Sequence, residues 1–380
     1  MATNKTDKVL NVPTLRFPGF TDEWQKYSLG EYFTFKNGLN PDAKRIGRGV
    51  KFISVMDILN NNVITYSLIR DSVEATEDEI STYGVKYGDI LFQRSSETLE
   101  DVGHANVYLD DKAAVYGGFV IRGRAIKEYN PVFMKYALAS PINRKRIIVK
   151  GAGAQHFNIG QDGLSKVQVM LPDSKEQNRI AALFALLDER IALQSKLIDR
   201  LKSLMDGIID KVTAWTPNIS IAECLDCYSS TLQECETEEQ GTYPVYGANG
   251  VCGYLNYAAI SDSAILIVKD GSGVGNVSYT NGDCSVVGTL NYLMPKKNFS
   301  AKFLYFVLKR FNFQPYKTGM AIPHIYFKAY SKARIFCPDY EEQSRTAAYL
   351  SRIEDKIALE ERLLCLLQEQ KHYLLSAMFI

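Results

Sequence analysis

Several short motifs combine residue types that bind phosphates or metals in other proteins. The segment "GSGVG" (271–275) is rich in glycine, but it lacks the strand, GxGxxG and helix context of a dinucleotide-binding loop, and GxxxxGK[ST] is absent from the sequence. Cys224 and Cys227 form a single CxxC pair, and neither Cys235 nor Cys252 completes the second pair of a structural zinc site. The glycines favour a tight turn, and the sequence predicts neither a nucleotide site nor a metal site.

Groups that could perform covalent or acid–base chemistry are also widely spaced. The histidines are too scattered to form a nucleophile–base pair or an assignable metal site; they are His104, His156, His324 and His372. The Asn/Asp-Pro-Pro-aromatic motif of amino-methyltransferases is missing, because "CPDY" (337–340) contains only one proline. We therefore expect a chain without catalytic residues and without a cofactor of its own.

The composition is that of an ordinary globular protein. The 380 residues are 46% hydrophobic and 23% charged, and this length favours two domains. The first segment contains no apolar run of signal-peptide length, and no uncharged apolar stretch approaches the ~18 residues of a membrane span, so we expect an intracellular, cytoplasmic protein. The 7 cysteines are odd in number and unevenly placed, so we expect free thiols.

The net charge of +1 hides an alternation of acidic and basic segments. Residues 71–111 contain eleven acidic and two basic residues, whereas residues 112–170 contain two acidic and ten basic ones. Residues 222–240 contain six acidic residues and no Lys or Arg, whereas residues 241–338 contain three acidic and ten basic ones. Each basic segment is a candidate contact surface for nucleic-acid phosphates, although chance segregation on solvated faces gives the same pattern.

A long internal repeat divides the chain in two. A shift of 166 residues aligns 153–213 with 319–379 without a gap, and 16 of the 61 pairs are identical. The identical pairs include Gly153 with Gly319, Pro172-Asp173 with Pro338-Asp339, and Glu176-Gln177 with Glu342-Gln343. A repeat of this length indicates two copies of one module, because a solenoid needs at least about three short repeats.

Each module shows the same predicted order of elements. A buried strand ends in a polar loop, within "YGDILFQRSS" (87–96) in the first copy and "DSAILIVKDGSG" (262–273) in the second. One short helix follows, over 131–150 or 301–313, and then a loop and a short strand lead to a long charged helix.

The long helix of each module has Asp173 or Asp339 available as its N-cap. Apolar residues at alternating spacings of four and three predict a coiled-coil seam, in which the two helices are each other's expected partners. The seam consists of Ile180, Phe184, Leu187, Ile191, Gln194, Ile198 and Leu201 in the first helix and of Leu350, Ile353, Ile357, Glu360, Leu364 and Leu367 in the second. We expect an antiparallel pair that brings the polar seam residues Gln194 and Glu360 together.

Four features carry a resemblance to a known family. They are the paired helices that open with P-D-x-x-E-Q-x-R and the segments "YGDILFQRSSE", "YPVYGANGVCGYL" and "ILIVKDGSGVGNV". With them, essentially the whole chain resembles the specificity (S) subunit of type I restriction-modification systems.

The resemblance implies an α+β fold with two similar α/β target-recognition domains, separated by two long antiparallel helices that form a coiled coil with pseudo-twofold symmetry. The expected segments are an N-terminal extension (1–20), target-recognition domain 1 (21–172), a first spacer helix (173–213), target-recognition domain 2 (214–338) and a second spacer helix (339–380).

The resemblance also implies a non-catalytic subunit whose two domains each read one half of a bipartite, asymmetric site in double-stranded DNA. The helices would set the half-site spacing and dock two methyltransferase subunits that methylate adenine, and restriction and motor subunits would join the complex. S-adenosylmethionine is expected on the methyltransferase subunits, and ATP and Mg²⁺ on the motor subunits. The alternatives are a scaffold that binds no DNA and a stand-alone DNA-modifying enzyme.

The family has no fixed base-reading code, so we choose DNA contacts by residue chemistry. The base-reading candidates are Arg94, Ser95, Ser96, Gln155, His156 and Asn158 in the first module and Lys269, Asp270, Ser272 and His324 in the second. The phosphate candidates are Arg144, Lys145, Arg146, Lys150, Lys309, Arg310 and Lys317. For each of these side chains the alternative is a solvated surface group or a local turn hydrogen bond.

Overall fold

The computed structural model describes residues 10–153 and 156–380 and divides the chain into two compact units. Unit 1 comprises the described residues up to Gln194 together with Leu363–Ile380, and unit 2 comprises Ser195–Arg362. Most of the expected N-terminal extension, residues 1–9, lies outside the described residues, as does Gln155.

Unit 1 contains two small sheets and two strand pairs. Its strands are β1 (Gln25–Ser28), β2 (Phe33–Asn37), β3 (Ile46–Ile53), β4 (Asp71–Val73), β5 (Ile90–Gln93), β6 (Ser95–Ser96), β7 (Ala105–Val107), β8 (Val115–Tyr116), β9 (Val120–Ala125), β10 (Phe157–Asn158) and β11 (Gln168–Leu171). An antiparallel sheet has the order β2-β9-β5-β7, and a mixed sheet has the order β4-β3-β8 with β3 and β8 parallel. β1 pairs with β11 and β6 with β10. All four residues of β5 are buried, as its apolar sequence predicts.

The helices of unit 1 differ from the prediction in one place. They are α1 (Val55–Asn60), α2 (Glu77–Tyr83), α3 (Pro131–Ala139), α4 (Pro141–Ile148), α5 (Gln161–Ser165) and the first half of the long helix α6 (Ser174–Thr213). The single helix predicted over 131–150 is wrong, because Ser140 is extended and separates α3 from α4. Pro141 disfavours helical backbone at the residue before it and begins a second helix.

Unit 2 repeats this topology. Its strands are β12 (Ile219–Ser220), β13 (Leu225–Ser229), β14 (Tyr243–Gly247), β15 (Gly250–Leu255), β16 (Ser263–Val268), β17 (Val277–Asn281), β18 (Ser285–Val286), β19 (Leu290–Pro295) and β20 (Arg334–Ile335). The orders β13-β19-β16-β17 and β15-β14-β18 match those of unit 1, and β12 pairs with β20. Its helices are α7 (Ile221–Cys224), α8 (Ala301–Arg310), α9 (Phe327–Tyr330) and most of the long helix α10 (Tyr340–Ala377).

The main core of unit 1 packs the sheet domain against the long helices. Trp24 and Phe133 are fully buried beside Phe184 of α6 and Phe379, which follows α10. The ring centroids of Phe184 and Phe379 lie 5.8 Å apart. In unit 2 a core cluster lies between the two sheets and includes Leu266 of β16. Each sheet domain is therefore a packed body that can hold exposed loops in place.

Within each unit the segments of α6 and α10 run antiparallel, as predicted. In unit 1, Lys371 Nζ lies 2.5 Å from Asp188 Oδ1. In unit 2, Lys202 Nζ lies 2.6 Å from Glu361 Oε1. The seam positions predicted from the heptads are all buried or half-buried. Because Gln194 belongs to unit 1 and Glu360 to unit 2, their proximity stays a prediction.

Both long helices begin with the predicted caps. Asp173 Oδ1 accepts the Glu176 N–H at 2.8 Å, and Asp339 Oδ1 accepts the Glu342 N–H at 2.9 Å. Each cap satisfies one of the N–H groups that have no partner inside the helix.

A buried glutamine ties the start of each long helix to the proline before its cap and to a shorter helix. Gln177 Nε2 donates to the Pro172 carbonyl at 3.0 Å, and Gln177 Oε1 accepts the N–H of Asn130, the N-cap of α3, at 3.0 Å. Gln343 makes the same two bonds in unit 2, each at 2.8 Å. The repeated glutamine therefore has a structural cause, because its amide joins the start of the long helix to the shorter helix and to the residue before the cap.

Candidate nucleic-acid interface

In unit 1 the polar loop after β5 lies against the loop after α4. β6 and β10 pair antiparallel, and Ser95 Oγ donates to Asn158 Oδ1. The Ile159 N–H donates to the Arg94 carbonyl at 2.9 Å. The structure thus brings together two segments of predicted base-reading residues that lie far apart in the sequence.

Unit 2 has the same backbone pairing between two segments, but the side chains on them differ. We call this shared backbone arrangement the frame. Asp270 and His324 form an antiparallel bridge, and the Ile325 N–H donates to the Lys269 carbonyl at 2.9 Å. The corresponding positions are Arg94 and Lys269, Ser95 and Asp270, and Asn158 and His324. We call the two pairs of segments the paired loops: residues 94–96 with 156–158 in unit 1, and 269–272 with 322–324 in unit 2.

A glycine is required at the turn that leads into each of these loops. Gly153 has φ +144°, and a Cβ there would lie 2.0 Å from the His156 carbonyl oxygen. Gly319 has φ +87°, and a Cβ would lie 2.4 Å from the Ile322 carbonyl oxygen. Both the backbone conformation and the close approach exclude a side chain, which explains why this pair is identical in the repeat.

A third segment borders the paired loops and was not singled out from the sequence. The Arg94 N–H donates to the Phe119 carbonyl at 2.8 Å, and the Lys269 N–H donates to the Thr289 carbonyl at 2.9 Å. The Phe119 side chain is 68% exposed, although the residues on either side of it are buried. The available sequence signal was the glycine before each of these two residues, between buried apolar residues.

The predicted base-reading side chains reach the surface to different extents. Those that are exposed are His156, Asn158 and Ser272, and those that are half-buried are Arg94, Ser95, Ser96, Lys269, Asp270 and His324. Arg94 Nη1 donates to the Gly118 carbonyl at 3.3 Å, which holds its guanidinium beside Phe119. The role of these side chains in DNA contact stays a prediction, and Gln155 lies outside the described residues.

Two lysines of the first basic segment are exposed and remain candidates for phosphate contact. Lys145 is exposed on α4, and Lys150 is exposed just after it. Arg146, in contrast, donates to the Asn143 side chain at 2.8 Å and to the Ile380 carbonyl at 3.1 Å. Arg146 therefore joins α4 to Ile380 within unit 1, and its phosphate contact stays a prediction.

Arg144 also makes internal hydrogen bonds, and its phosphate contact stays a prediction. Its Nη2 donates to the carbonyls of Glu100 and Val102 at 2.8 and 2.7 Å. Burial lowers the pKa of Arg144 to about 10, so the guanidinium stays charged at neutral pH. Burial and the charge of Arg144 also lower the pKa of the neighbouring His104, which favours its neutral form. Arg144 thus fastens α4 to the loop that follows the Arg94 segment.

In unit 2 two of the three phosphate candidates form ion pairs with the long helices. Lys309 Nζ lies 3.2 Å from Glu354 Oε1, and Arg310 Nη2 lies 2.8 Å from Asp210 Oδ2. These pairs fasten α8 to α10 and α6. Both side chains are still more than a third exposed, and their phosphate contact stays a prediction. Lys317 is half-exposed after α8 and remains a candidate.

The motifs that suggested other chemistry have structural explanations. Gly271 and Gly275 have φ of +98° and +89°, so "GSGVG" makes a tight turn after β16, as expected. The cysteines are free thiols. Over residues 10–153 and 156–380 no group of three or more His, Cys, Asp or Glu could hold a metal ion. Across the same residues, no helix combines the length and the apolar character that crossing a membrane requires.

Comparison with known families identifies the paired domains. The profile of the "Type I restriction modification DNA specificity domain" matches residues 21–203 and 221–369, which is most of the chain. The chain belongs to the type I restriction-modification specificity family. Each matched segment contains one set of paired loops, so the predicted family is confirmed for both modules.

Individual members of the specificity family are similar over different lengths. The type I restriction enzyme EcoKI specificity subunit of Escherichia coli (strain K12) is 28% identical over 184 residues, which are 46% of this chain and 39% of that subunit. The matched part is therefore well under half of that relative.

Two solved structures show the same fold over nearly the whole chain. The S subunit of a type I restriction-modification system from M. genitalium has a TM-score of 0.68 and 18% identity, over 97% of this chain and 99% of that one. A chain from a structure describing complex assembly and conformational transition of the type I R-M system has a TM-score of 0.54 and 17% identity, over 96% and 98% of the two chains. The predicted fold class is confirmed.

Proposed function

We propose that this chain is the DNA-recognition subunit of a type I restriction-modification complex and that each unit reads one half of a bipartite, asymmetric site. The observation that carries the proposal is the shared frame of the paired loops with different side chains on it. Because the paired loops of both units have the same backbone pairing, side chains at equivalent positions leave the backbone in similar directions. The identity of these side chains then decides which base edges are bound.

The side chains of the paired loops have the chemistry of base readers. In the major groove, an asparagine such as Asn158 can bind adenine through two hydrogen bonds, whereas a carboxylate such as Asp270 accepts from the cytosine amino group. Arg94 has a planar fork that suits guanine, whereas Lys269 at the same position is a single flexible donor. The two half-sites are therefore expected to differ in sequence.

Phosphate contacts would come from lysines of the basic segments. These are Lys145 and Lys150 in unit 1, which are exposed, and Lys317 in unit 2, which is half-buried. Phosphate contacts position a protein on the duplex without selecting a sequence, and they make binding weaken as the salt concentration rises.

The spacing of the half-sites would be set by the long helices. α6 contains 40 residues, and at about 1.5 Å per residue such a helix spans about 60 Å. At about 3.4 Å per base pair this corresponds to an upper bound of about 17 base pairs between the two readers.

The long helices also carry apolar side chains outside the seam, where partner subunits would dock. In unit 1, Leu186 and Leu193 of α6 are 65% and 58% exposed. In unit 2, Leu197 and Leu204 are 39% and 53% exposed. Each pair is separated by seven residues, a spacing that places both side chains on one helix face. A face of exposed leucines is typical of a protein interface.

The partners proposed for this face are two methyltransferase subunits that methylate adenine, with restriction and motor subunits joining through the complex. The chain itself is proposed to be non-catalytic and cytoplasmic. S-adenosylmethionine would bind the methyltransferase subunits, and ATP and Mg²⁺ the motor subunits.

Selection from random-sequence DNA tests the proposal. The chain is purified with its methyltransferase subunits, and bound duplexes are sequenced. We expect enrichment of two different short half-sites at one constant gap. Recovery of random sequences would contradict DNA reading and favour a scaffold, and methylation or cleavage by the chain alone would favour a stand-alone enzyme.

A variant pair tests the docking face separately. Leu193→Asp should abolish co-purification with the methyltransferase subunits, because a charge would be buried in an apolar contact. Ala192→Asp introduces the same residue at the exposed adjacent position, about 100° around the helix from Leu193, and should not. Equal loss with both variants would contradict the assignment of this face.

A further inference from the structure

Phe119 is a large apolar side chain held out from a rigid turn. The Gly117 N–H donates to the Ile53 carbonyl and the Val120 N–H to the Gly117 carbonyl, both at 2.9 Å. A Cβ at Gly118 would lie 1.7 Å from Asn40 Oδ1, so a larger residue here would require the Asn40 side chain to move. The backbone on both sides of Phe119 is therefore fixed, and its exposed ring needs little further ordering to bind a partner.

The ring belongs to an apolar depression beside the paired loops of unit 1. The depression has a volume of about 430 Å³, and the apolar residues that line it include Leu39, Ile46, Phe52, Met56 and Phe119. Ile46 and Met56 are 43% and 57% exposed. This apolar surface is continuous with the Arg94 segment through the hydrogen bond from the Arg94 N–H to the Phe119 carbonyl.

The corresponding depression of unit 2 has different chemistry. Its volume is about 500 Å³, and its lining includes Thr231, Gln233, Glu234, Asn249 and Thr289. Thr289 stands where unit 1 has Phe119, with its carbonyl on the Lys269 N–H. In unit 2 the exposed apolar side chains near the paired loops are instead Met320 and Ile322, on the loop before His324. The two units thus offer apolar contact at different places of the same frame.

We infer that Phe119 is a specificity-determining residue that contacts the C5 methyl group of a thymine in the half-site read by unit 1. The inference rests on the proposed function and names one base contact within it. The thymine methyl is an apolar group on the major-groove edge of a base pair, and an aromatic side chain is one of its recognised partners. Burial of this methyl group against the ring is favourable because both surfaces leave water.

The methyl group can be removed from the DNA without any change in hydrogen bonding. Deoxyuridine replaces thymidine at one position of the selected site at a time, and dissociation constants are measured for the chain with its methyltransferase subunits. One substitution in the half-site of unit 1 should weaken binding about four-fold, the loss expected for one buried methyl group. The variant Phe119→Ala should bind both duplexes equally, and Phe119→Leu should keep part of the difference.

Tyr87→Ala is the matched control, since Tyr87 is a 59% exposed aromatic residue before β5, at the opposite end of that strand from Arg94. This variant should keep the four-fold difference, and melting temperatures will show that all variants are folded. A wild-type protein that selects its site but tolerates every thymidine replacement would overturn the inference and leave the proposed function intact. So would an unchanged methyl dependence in Phe119→Ala. A wild-type protein without sequence selectivity would overturn both.

Discussion

Unit 1 buries a charged cluster that unit 2 leaves partly open to solvent. Asp188 of α6 is 7% exposed and accepts hydrogen bonds from Lys371 and from the Tyr136 hydroxyl, both at 2.5 Å. Glu354 of α10 holds the same repeat position in unit 2, where it accepts from the Tyr305 hydroxyl at 2.6 Å and from two lysines of α8. Its side chain is 27% exposed. Both carboxylates fasten a shorter helix to a long one, but Asp188 is more shielded from water than Glu354.

This comparison separates two kinds of position in the module. Positions that hold elements together keep their bonding role in both copies, as the buried Gln177 and Gln343 show. Positions on the paired loops keep their backbone bonds but change their side chains, as Asn158 and His324 show. The repeat therefore preserves the frame and varies the surface that the frame presents.

We expect the largest loss in the free energy of unfolding from a substitution in the buried charged cluster of unit 1. Asp188→Asn leaves the buried Lys135, whose Nζ lies 3.5 Å from Asp188, without its counter-charge, and should cost about 3 to 5 kcal/mol. Glu354→Gln should cost about 1 kcal/mol, because its partners are closer to solvent. Hydrogen exchange of amides in each sheet measures the two effects separately. Equal losses in the two units would contradict the difference in burial.

The same cluster should make unit 1 sensitive to acid. Burial alone would raise the pKa of Asp188, but the hydrogen bonds from Lys371 and Tyr136 and the charges of the lysines outweigh it, and the pKa is lowered. A lowered carboxylate pKa stabilises the fold above the unfolded-state value of about 4, and this contribution is lost as the pH falls through the folded value. The stability difference between wild type and Asp188→Asn should therefore shrink below about pH 4. A constant difference down to pH 3 would argue against the lowered pKa.

A second pair of carboxylates at equivalent repeat positions, Glu176 and Glu342, is also more deeply buried in unit 1 than in unit 2. Glu176 is 1% exposed and accepts from Arg16 at 2.7 Å and from Trp24 Nε1 at 3.1 Å. Glu342, its repeat partner, is 47% exposed and lies 3.4 Å from Arg345. Glu176→Gln should cost about 2 to 3 kcal/mol and Glu342→Gln less than about 0.5 kcal/mol, as for a surface substitution. Thermal melting of the single variants measures the difference, and similar melting temperatures would contradict it.

Substitution of the repeated glutamines should give the smallest difference in stability loss between the two units. Gln177→Ala and Gln343→Ala each remove two hydrogen bonds of a buried side chain and should each cost about 1 to 3 kcal/mol. Lys175→Ala, at an exposed position of the same first turn, is the control and should have little effect. If hydrogen exchange showed a loss of stability in only one of the two glutamine variants, the glutamine hydrogen bonds would not have the same role in both units.

Local patterns were sufficient to predict much of the frame. The structure contains the buried strands β5 and β16, the aspartate caps and the heptad seam that were predicted. Each of these features depends on residues close in sequence. The break between α3 and α4 also had a local signal in Pro141, which the prediction of one helix ignored.

The candidate site was less predictable because it depends on contacts between distant segments. Residue chemistry selected both paired loops, but only the fold shows that Ser95 meets Asn158. The sequence also does not show the partner of a charged residue, so the internal bonds of Arg144 and Arg310 were not predicted. Phe119 was missed because an exposed phenylalanine looks like a core residue until its surroundings are known.

The most direct measurement compares the two paired loops in one selection experiment. Asn158→Ala and His324→Ala are each purified with the methyltransferase subunits, and bound sequences are selected from random DNA. Asn158→Ala should relax the preference in one half-site, His324→Ala should relax it in the other, and the gap should stay constant. Loss of affinity for all sequences alike, or relaxation of the same half-site by both variants, would contradict the conclusion that each unit reads its own half.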